Sequence, residues 1–287
     1  NIFNRWLNKH DDWAVMDWWM AIILGILQGI TEWLPISSSG HLAIFQHYFD
    51  EEPPILFDVI LHLGSLFVVS SILRKEISVF LEAIPSTLRK IKGKSTFNDD
   101  ERLVLLVVIA SIPTAFIGLL FDGEIIENFY DKMYLVGFCL MITGVVIWHS
   151  KEYKNALDFA NLSFLKAFYI GIVQGLSILP GISRSGTTIA FLRIFGLEPI
   201  KAAKFSFLIF IPAIIGATFL KLNEAEATLE EVGLISIILG FSASVISSFL
   251  SIKFLLTIIN NQKFHYFTPY CLIVGIFLVF ENYYNLI

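Results

Sequence analysis

Gly25-Ile26-Leu27-Gln28-Gly29 returns later in the chain as Gly171-Ile172-Val173-Gln174-Gly175, and Ile36-Ser37-Ser38-Ser39-Gly40 returns as Ile182-Ser183-Arg184-Ser185-Gly186. Both pairs keep one offset, residue 25 falling on 171 and residue 36 on 182, so the chain carries an internal repeat. Each copy lies in an apolar stretch, about 18–49 and 163–196, interrupted near its middle by a segment rich in Ser and Gly that opens on Pro35 or Pro180. Backbone broken at membrane depth persists only where it faces protein or a wet cavity, so both stretches read as re-entrant helical hairpins.

The rest of the chain supports a bilayer as solvent. Of 287 residues, 56% are hydrophobic and 16% charged, and the mean hydropathy is +0.72, whereas a soluble domain is about a quarter charged. Six apolar runs have the length of about 20 residues that a spanning helix needs: roughly 56–74, 102–121, 132–150, 203–221, 233–259 and 268–285. Three of them separate the two hairpins, and an odd number of crossings brings the second hairpin in from the opposite face. The expected fold is an all-α polytopic membrane protein, six transmembrane helices plus two re-entrant helical hairpins in an inverted repeat. Such repeats place a binding site near the midplane, where the interrupted helices meet. Residues 1–16 are set apart as an N-terminal extension, and 17–287 as one membrane domain of two repeats, about 18–150 and 163–286.

Charge orients the chain and excludes one class of partner. A net charge of -5 offers no basic field for nucleic acid. Fifteen Lys and Arg fall on one predicted side, seven of them in 74–102, against Arg5, Lys9, Lys132 and Lys221 on the other. By the positive-inside rule the 74–102 linker is cytoplasmic and both termini lie on the outer face of the plasma membrane, with acidic loops there (Asp122 to Asp131, Glu224 to Glu231). Residues 76–101 read as an interfacial amphipathic segment with a polar linker. The opening stretch lacks the order of a cleavable signal peptide, and Met16 stands as an alternative start. Cys139 and Cys271 sit in apolar runs and are expected to be small buried hydrophobes.

An ionisable group in the apolar phase costs at least about 2.5–3.5 kcal/mol, which makes each one a functional candidate. Gln28 and Glu32 are four apart on the first arm of the first hairpin, hence on one face; a carboxylate there could act as a base or hold a metal, or the two could cross-link helices. The break supplies Ser37, Ser38, Ser39, Gly40 and His41 where helix amides are free to bind an anion. Ser38 or His41 could attack phosphorus while the other moves protons; one serine could instead serve as an N-cap. In the second copy Arg184 takes the place of Ser38, among Ser183, Ser185, Gly186, Thr187 and Thr188, the setting for bidentate phosphate recognition. A structural pairing of Arg184 with Glu32 is compatible with that role. Asp58 and His62, four apart in an apolar helix, are either a polar pair near the site or a helix-packing contact.

These motifs resemble a known family. Gln28-Gly29-Ile30-Thr31-Glu32-Trp33-Leu34-Pro35-Ile36-Ser37-Ser38-Ser39-Gly40-His41 is similar to the first signature of the bacitracin-resistance type undecaprenyl-diphosphatases, and Pro180-Gly181-Ile182-Ser183-Arg184-Ser185-Gly186-Thr187-Thr188 to their second. The resemblance runs from about Asp17 to the C-terminus and includes Phe205-Ser206-Phe207 and Pro212. It implies removal of the terminal phosphate from a polyprenyl diphosphate lipid that recycles the carrier for cell-wall glycan synthesis, with a divalent cation, Mg²⁺ or Ca²⁺. It further implies Glu32 as the acidic catalytic or metal-associated residue, Ser38 as the leading nucleophile candidate, His41 as its acid/base partner, and Arg184 with Ser183 and Thr188 as phosphate cradle. The hydroxyls of Ser37, Ser39 and Ser185 are further candidates to bind the phosphate. Gln28 stands where some members have Glu, so a metal clamp of Glu32 and Gln28 would hold a single carboxylate. A homodimer is a further expected partner.

Two other readings compete. A transporter or flippase of anionic polyprenyl phosphate lipids would use inverted repeats and Arg184, but has no need of Ser38, His41 and Glu32 converging. A membrane scaffold would leave Glu32 and Arg184 in the apolar phase without a purpose.

Overall fold

The computed structural model describes residues 16–49, 53–93, 96–121, 132–152 and 156–284. The acidic loop 122–131 and the extension before Met16 lie outside them. Twelve α-helices follow one another among the described residues: α1 Trp18–Trp33, α2 Ser38–Phe49, α3 Ile55–Ile72, α4 Arg74–Gly93, α5 Asp99–Leu120, α6 Met133–His149, α7 Phe164–Leu176, α8 Arg184–Ile194, α9 Pro199–Lys221, α10 Ala225–Val232, α11 Leu234–Asn260 and α12 Thr268–Tyr284. The two interrupted stretches are therefore helix pairs, α1–α2 and α7–α8. Five segments are long and apolar enough to cross a membrane: Ile55–Ile72, Asp99–Leu120, Pro199–Val232, Leu234–Asn260 and Phe264–Glu281. The sixth expected span, 132–150, is α6, an apolar helix of 17 residues that packs along α12. Large apolar side chains stand exposed on these helices, Phe67, Ile112, Phe116, Phe219, Ile246 and Ile273 among them, as lipid rather than water requires.

Helix boundaries follow local chemistry. Asn98 caps α5 with a reciprocal bond to Glu101, and Pro199 opens α9 behind a Glu198 cap, where its missing N–H costs nothing. The amphipathic segment expected at 76–101 resolves into α4, which keeps Ala83 and Thr87 buried and exposes Leu81, Leu88 and Ile91. Lys90 pairs with Glu101 at 2.7 Å and Lys204 with Glu76 at 2.7 Å, tying α4 to α5 and α9.

The repeat governs the packing. The first arm of each hairpin lies against the long helix of the other half: α1 along α11, and α7 along α5. Equivalent glycines permit both contacts. A Cβ on Gly25 would stand 2.2 Å from the Gly240 carbonyl oxygen, and one on Gly171 would stand 2.0 Å from that of Ala110. Close backbone approach through small residues is how helices associate where lipid is as apolar as leucine. Gly171→Val is therefore expected to cost about 1–3 kcal/mol or more, seen as a lowered thermal midpoint or lost accumulation in the membrane; an unchanged midpoint would contradict this packing.

The hairpin tips meet each other. Ser37 Oγ accepts from the Gly181 N–H at 3.1 Å, and a Cβ on Gly40 would stand 2.9 Å from Gly181 N. Ser37 itself adopts φ 72°, a left-handed conformation that a serine holds only when its surroundings demand it.

Candidate active site

The carboxylate of Glu32, at the last turn of α1, is the hub of a buried polar cluster. Its Oε1 accepts from Arg184 Nη2 at 2.5 Å. Its Oε2 accepts from Ser38 Oγ at 2.6 Å and from Gln28 Nε2 at 3.0 Å, and lies 3.4 Å from His62 Nε2. Glu32 comes from the first repeat and Arg184 from the second. Residue 184 begins α8 as residue 38 begins α2, so the repeat itself sets a guanidinium opposite a hydroxyl at the two helix starts. Removing one member of a buried ion pair strands the other charge, typically at about 3–5 kcal/mol, and Ser38 and Gln28 satisfy the carboxylate further.

Aromatic rings from α1 and α9 shape the wall behind Arg184. Its guanidinium carbon lies 3.9 Å from the Phe210 ring centroid and 5.5 Å from that of Trp33, and Trp33 meets Phe210 and Phe207 edge-on at 5.6 Å and 5.0 Å. Nη1 donates to the Ser206 carbonyl at 3.4 Å. Thr188 donates to the Arg184 carbonyl at 2.7 Å and shares a 2.6 Å bond with the Ser206 hydroxyl. The planar cation is held by its faces and one nitrogen, which orients its fork toward Glu32.

The remaining hydroxyls divide between backbone and site. Ser37 Oγ accepts from the Gly40 N–H at 3.1 Å and Ser183 Oγ from the Gly186 N–H at 3.0 Å, equivalent N-cap bonds in the two repeats. Ser39 lies 3.4 Å from Ser37 Oγ, and Ser185 lies 3.4 Å from Ser183 Oγ. Ser37, Ser183, Ser185 and Thr188 are buried; Ser38 and Ser39 keep partial exposure. Among the serines of the two tips, Ser38 is thus the one hydrogen-bonded to Glu32 and partly open.

His41 is placed differently from the expected partnership with Ser38. Its Nδ1–H donates to the Ser37 carbonyl at 2.8 Å, and its Nε2 meets the Tyr270 hydroxyl at 2.6 Å, with the two rings stacked at 5.7 Å. Both ring nitrogens are engaged, and the base within reach of Ser38 Oγ is Glu32. His62, one of the two open readings of the sequence, enters the cluster. Its neighbour Asp58 does not, being held by Gln46 Nε2 at 3.2 Å to each carboxylate oxygen. Ser206 lies in the Phe205-Ser206-Phe207 stretch of the resemblance, whereas Tyr270 and Phe210 carry no motif.

Among the described residues no three of His, Cys, Asp or Glu are grouped to hold a metal ion. One feature does suit a hard cation: among the described residues Gln28 Oε1 is buried without a hydrogen-bond partner, an oxygen on the side chain that bonds the Glu32 carboxylate. Cys139 and Cys271 are buried free thiols, Cys271 donating to the Pro35 carbonyl at 3.5 Å.

Residues 21–277 match the family described as bacitracin resistance protein BacA. The chain is similar to the undecaprenyl-diphosphatase of Methanobrevibacter smithii, at 40% identity over 91% of this chain and 96% of the relative. It is 39% identical to that of Carboxydothermus hydrogenoformans, over 91% and 96% of the two chains. Against that of Bacteroides fragilis the identity is 36%, over 91% and 97%.

Proposed function

The chain belongs to the bacitracin resistance protein BacA family, and from that membership we infer that it is a membrane hydrolase that converts undecaprenyl diphosphate to the monophosphate and inorganic phosphate. The observation that carries the reading beyond the relatives' names is the junction of Ser38, Glu32 and Arg184, a nucleophile, a base and an anion-binding cation at the tips of two broken helices. A transporter would use the cation and the broken helices; it has no use for a hydroxyl bonded to a buried carboxylate.

The chemistry follows from those positions. The terminal phosphate takes up the fork of Arg184, whose charge offsets that of the equatorial oxygens. Ser38 Oγ attacks the terminal phosphorus as its proton passes to Glu32 Oε2, 2.6 Å away. The bond from that phosphorus to the bridging oxygen breaks, and the monophosphate lipid leaves with the bridging oxygen and the proton. Water then attacks the phosphoserine; Glu32 takes its proton and returns it to Ser38 as inorganic phosphate departs. Arg184 and Glu32 bond each other at 2.5 Å, so phosphate draws the guanidinium off the carboxylate and frees Oε1.

Gln28 Oε1 and Glu32 would hold a divalent cation, a donor set with a single carboxylate being enough for Mg²⁺. When bound it neutralises diphosphate charge. Chelation is expected to lower phosphate release and added Mg²⁺ to restore it; undiminished release in chelator would remove the cation from the account.

The Lys and Arg gathered in 74–102 support a plasma-membrane orientation with that segment cytoplasmic and both termini outside. Single cysteines in a Cys139→Ala, Cys271→Ala background should be labelled by an impermeant thiol reagent at 226 or 230 of α10 in intact cells, and at 75 or 92 of α4 only after permeabilisation. Labelling of both helices from one side would remove the inverted topology. To separate hydrolysis from translocation, purified protein in vesicles is given undecaprenyl diphosphate in one leaflet. Release of inorganic phosphate with product formation is the expected result, whereas movement of intact diphosphate between leaflets without phosphate release would favour the flippase.

A further inference from the structure

We propose that His62 is a positioning residue of the hydrolytic site, holding the catalytic oxygen of Glu32 from a third structural element. Glu32 sits on α1 and its principal ionic partner on α8, both beside a helix break. His62 comes from α3, which is continuous from Ile55 to Ile72 and is packed against α1, α9 and α11. Its Nε2 lies 3.4 Å from Glu32 Oε2, the same oxygen that accepts from Ser38.

The ring is fixed at its far end as well. Its Nδ1–H donates to the Asp58 carbonyl one turn earlier at 2.7 Å. The Asp58 carboxylate, which would otherwise compete for the ring, is taken by Gln46 Nε2. His62 therefore presents one nitrogen to Glu32 with its orientation set by its own helix. When phosphate draws Arg184 away, Oε1 of Glu32 loses its strongest partner, and the carboxylate must still meet Ser38 within hydrogen-bond reach for proton transfer. Gln28, on the same helix as Glu32, cannot fix that helix relative to the rest of the molecule; His62 can.

This inference rests on the phosphatase reading. The test compares wild type, His62→Leu, His62→Asn and His62→Gln for phosphate release from undecaprenyl diphosphate, with kcat and KM determined separately. Glutamine carries an amide to about the reach of Nε2, whereas asparagine is one methylene short and leucine has no polar atom. The expected result is a kcat at least about tenfold lower for His62→Leu and His62→Asn, with KM within about threefold of wild type, and recovery to within about threefold in His62→Gln. The proposal is overturned if His62→Asn turns over like wild type, if His62→Gln is as impaired as His62→Asn, or if the loss appears in KM alone. His62→Asn keeps a polar side chain in the cluster and supplies the answer even where His62→Leu fails to fold. An inactive wild type would count against the phosphatase reading itself.

Discussion

Ser38→Ala is expected to lower kcat by about 10³-fold or more, because under the proposed mechanism Ser38 and Glu32 act as nucleophile and base in one unit, and loss of either stops the same step. The 2.6 Å bond from Ser38 Oγ to Glu32 Oε2 is the physical basis. Non-additivity makes the test specific. The Ser38→Ala, Glu32→Gln double variant should be no slower than the worse single variant, whereas independent roles would multiply the losses. Rapid quenching with substrate labelled in its terminal phosphate should trap an acid-stable phosphoserine in wild type and none in Ser38→Ala. His41→Ala, whose ring is engaged by Ser37 and Tyr270, should fall less far. Substantial activity in Ser38→Ala without a trapped phosphoenzyme would replace covalent catalysis with a water activated by Glu32.

Arg184→Lys should lower kcat/KM by tenfold or more, about 1.4 kcal/mol at the transition state. Lysine keeps the charge but loses the planar fork and the stacking on Phe210 at 3.9 Å, so it cannot bind two phosphate oxygens at once. Arg184→Ala should be worse for two reasons: it removes the anion site, and it leaves Glu32 a buried charge without its cation. A wild-type rate for Arg184→Lys would mean that a point charge suffices.

Much of this arrangement is legible in the sequence because the repeat is local and strict. Gly25 and Gly171 mark the same backbone contact in both halves, and Pro35 and Pro180 mark both breaks. From these, the hairpins, the apolar crossings and the placing of Arg184 against the first tip follow by spacing alone. For Ser38 and His41 spacing alone did not give the contacts. Three residues apart, they suggest one shared phosphate; the His41 ring bonds its own preceding turn and a tyrosine 229 positions away, while Ser38 bonds Glu32. The His62–Glu32 approach stayed one of two open readings, since α3 reaches the site through tertiary packing, and helical periodicity says which residues share a face but not which helix that face meets. The caps of Ser37 and Ser183 were readable as one option, and geometry assigned them to backbone.

Hydrolysis of a polyprenyl diphosphate's terminal phosphoanhydride at the Glu32 cluster is measured as inorganic phosphate released by purified protein supplied with undecaprenyl diphosphate, wild type beside Glu32→Gln at matched folding and concentration. Wild type should give stoichiometric phosphate and monophosphate lipid, and Glu32→Gln a loss of about 10²-fold or more, the scale of a missing general base; equal release from the two proteins would rule out this role for Glu32.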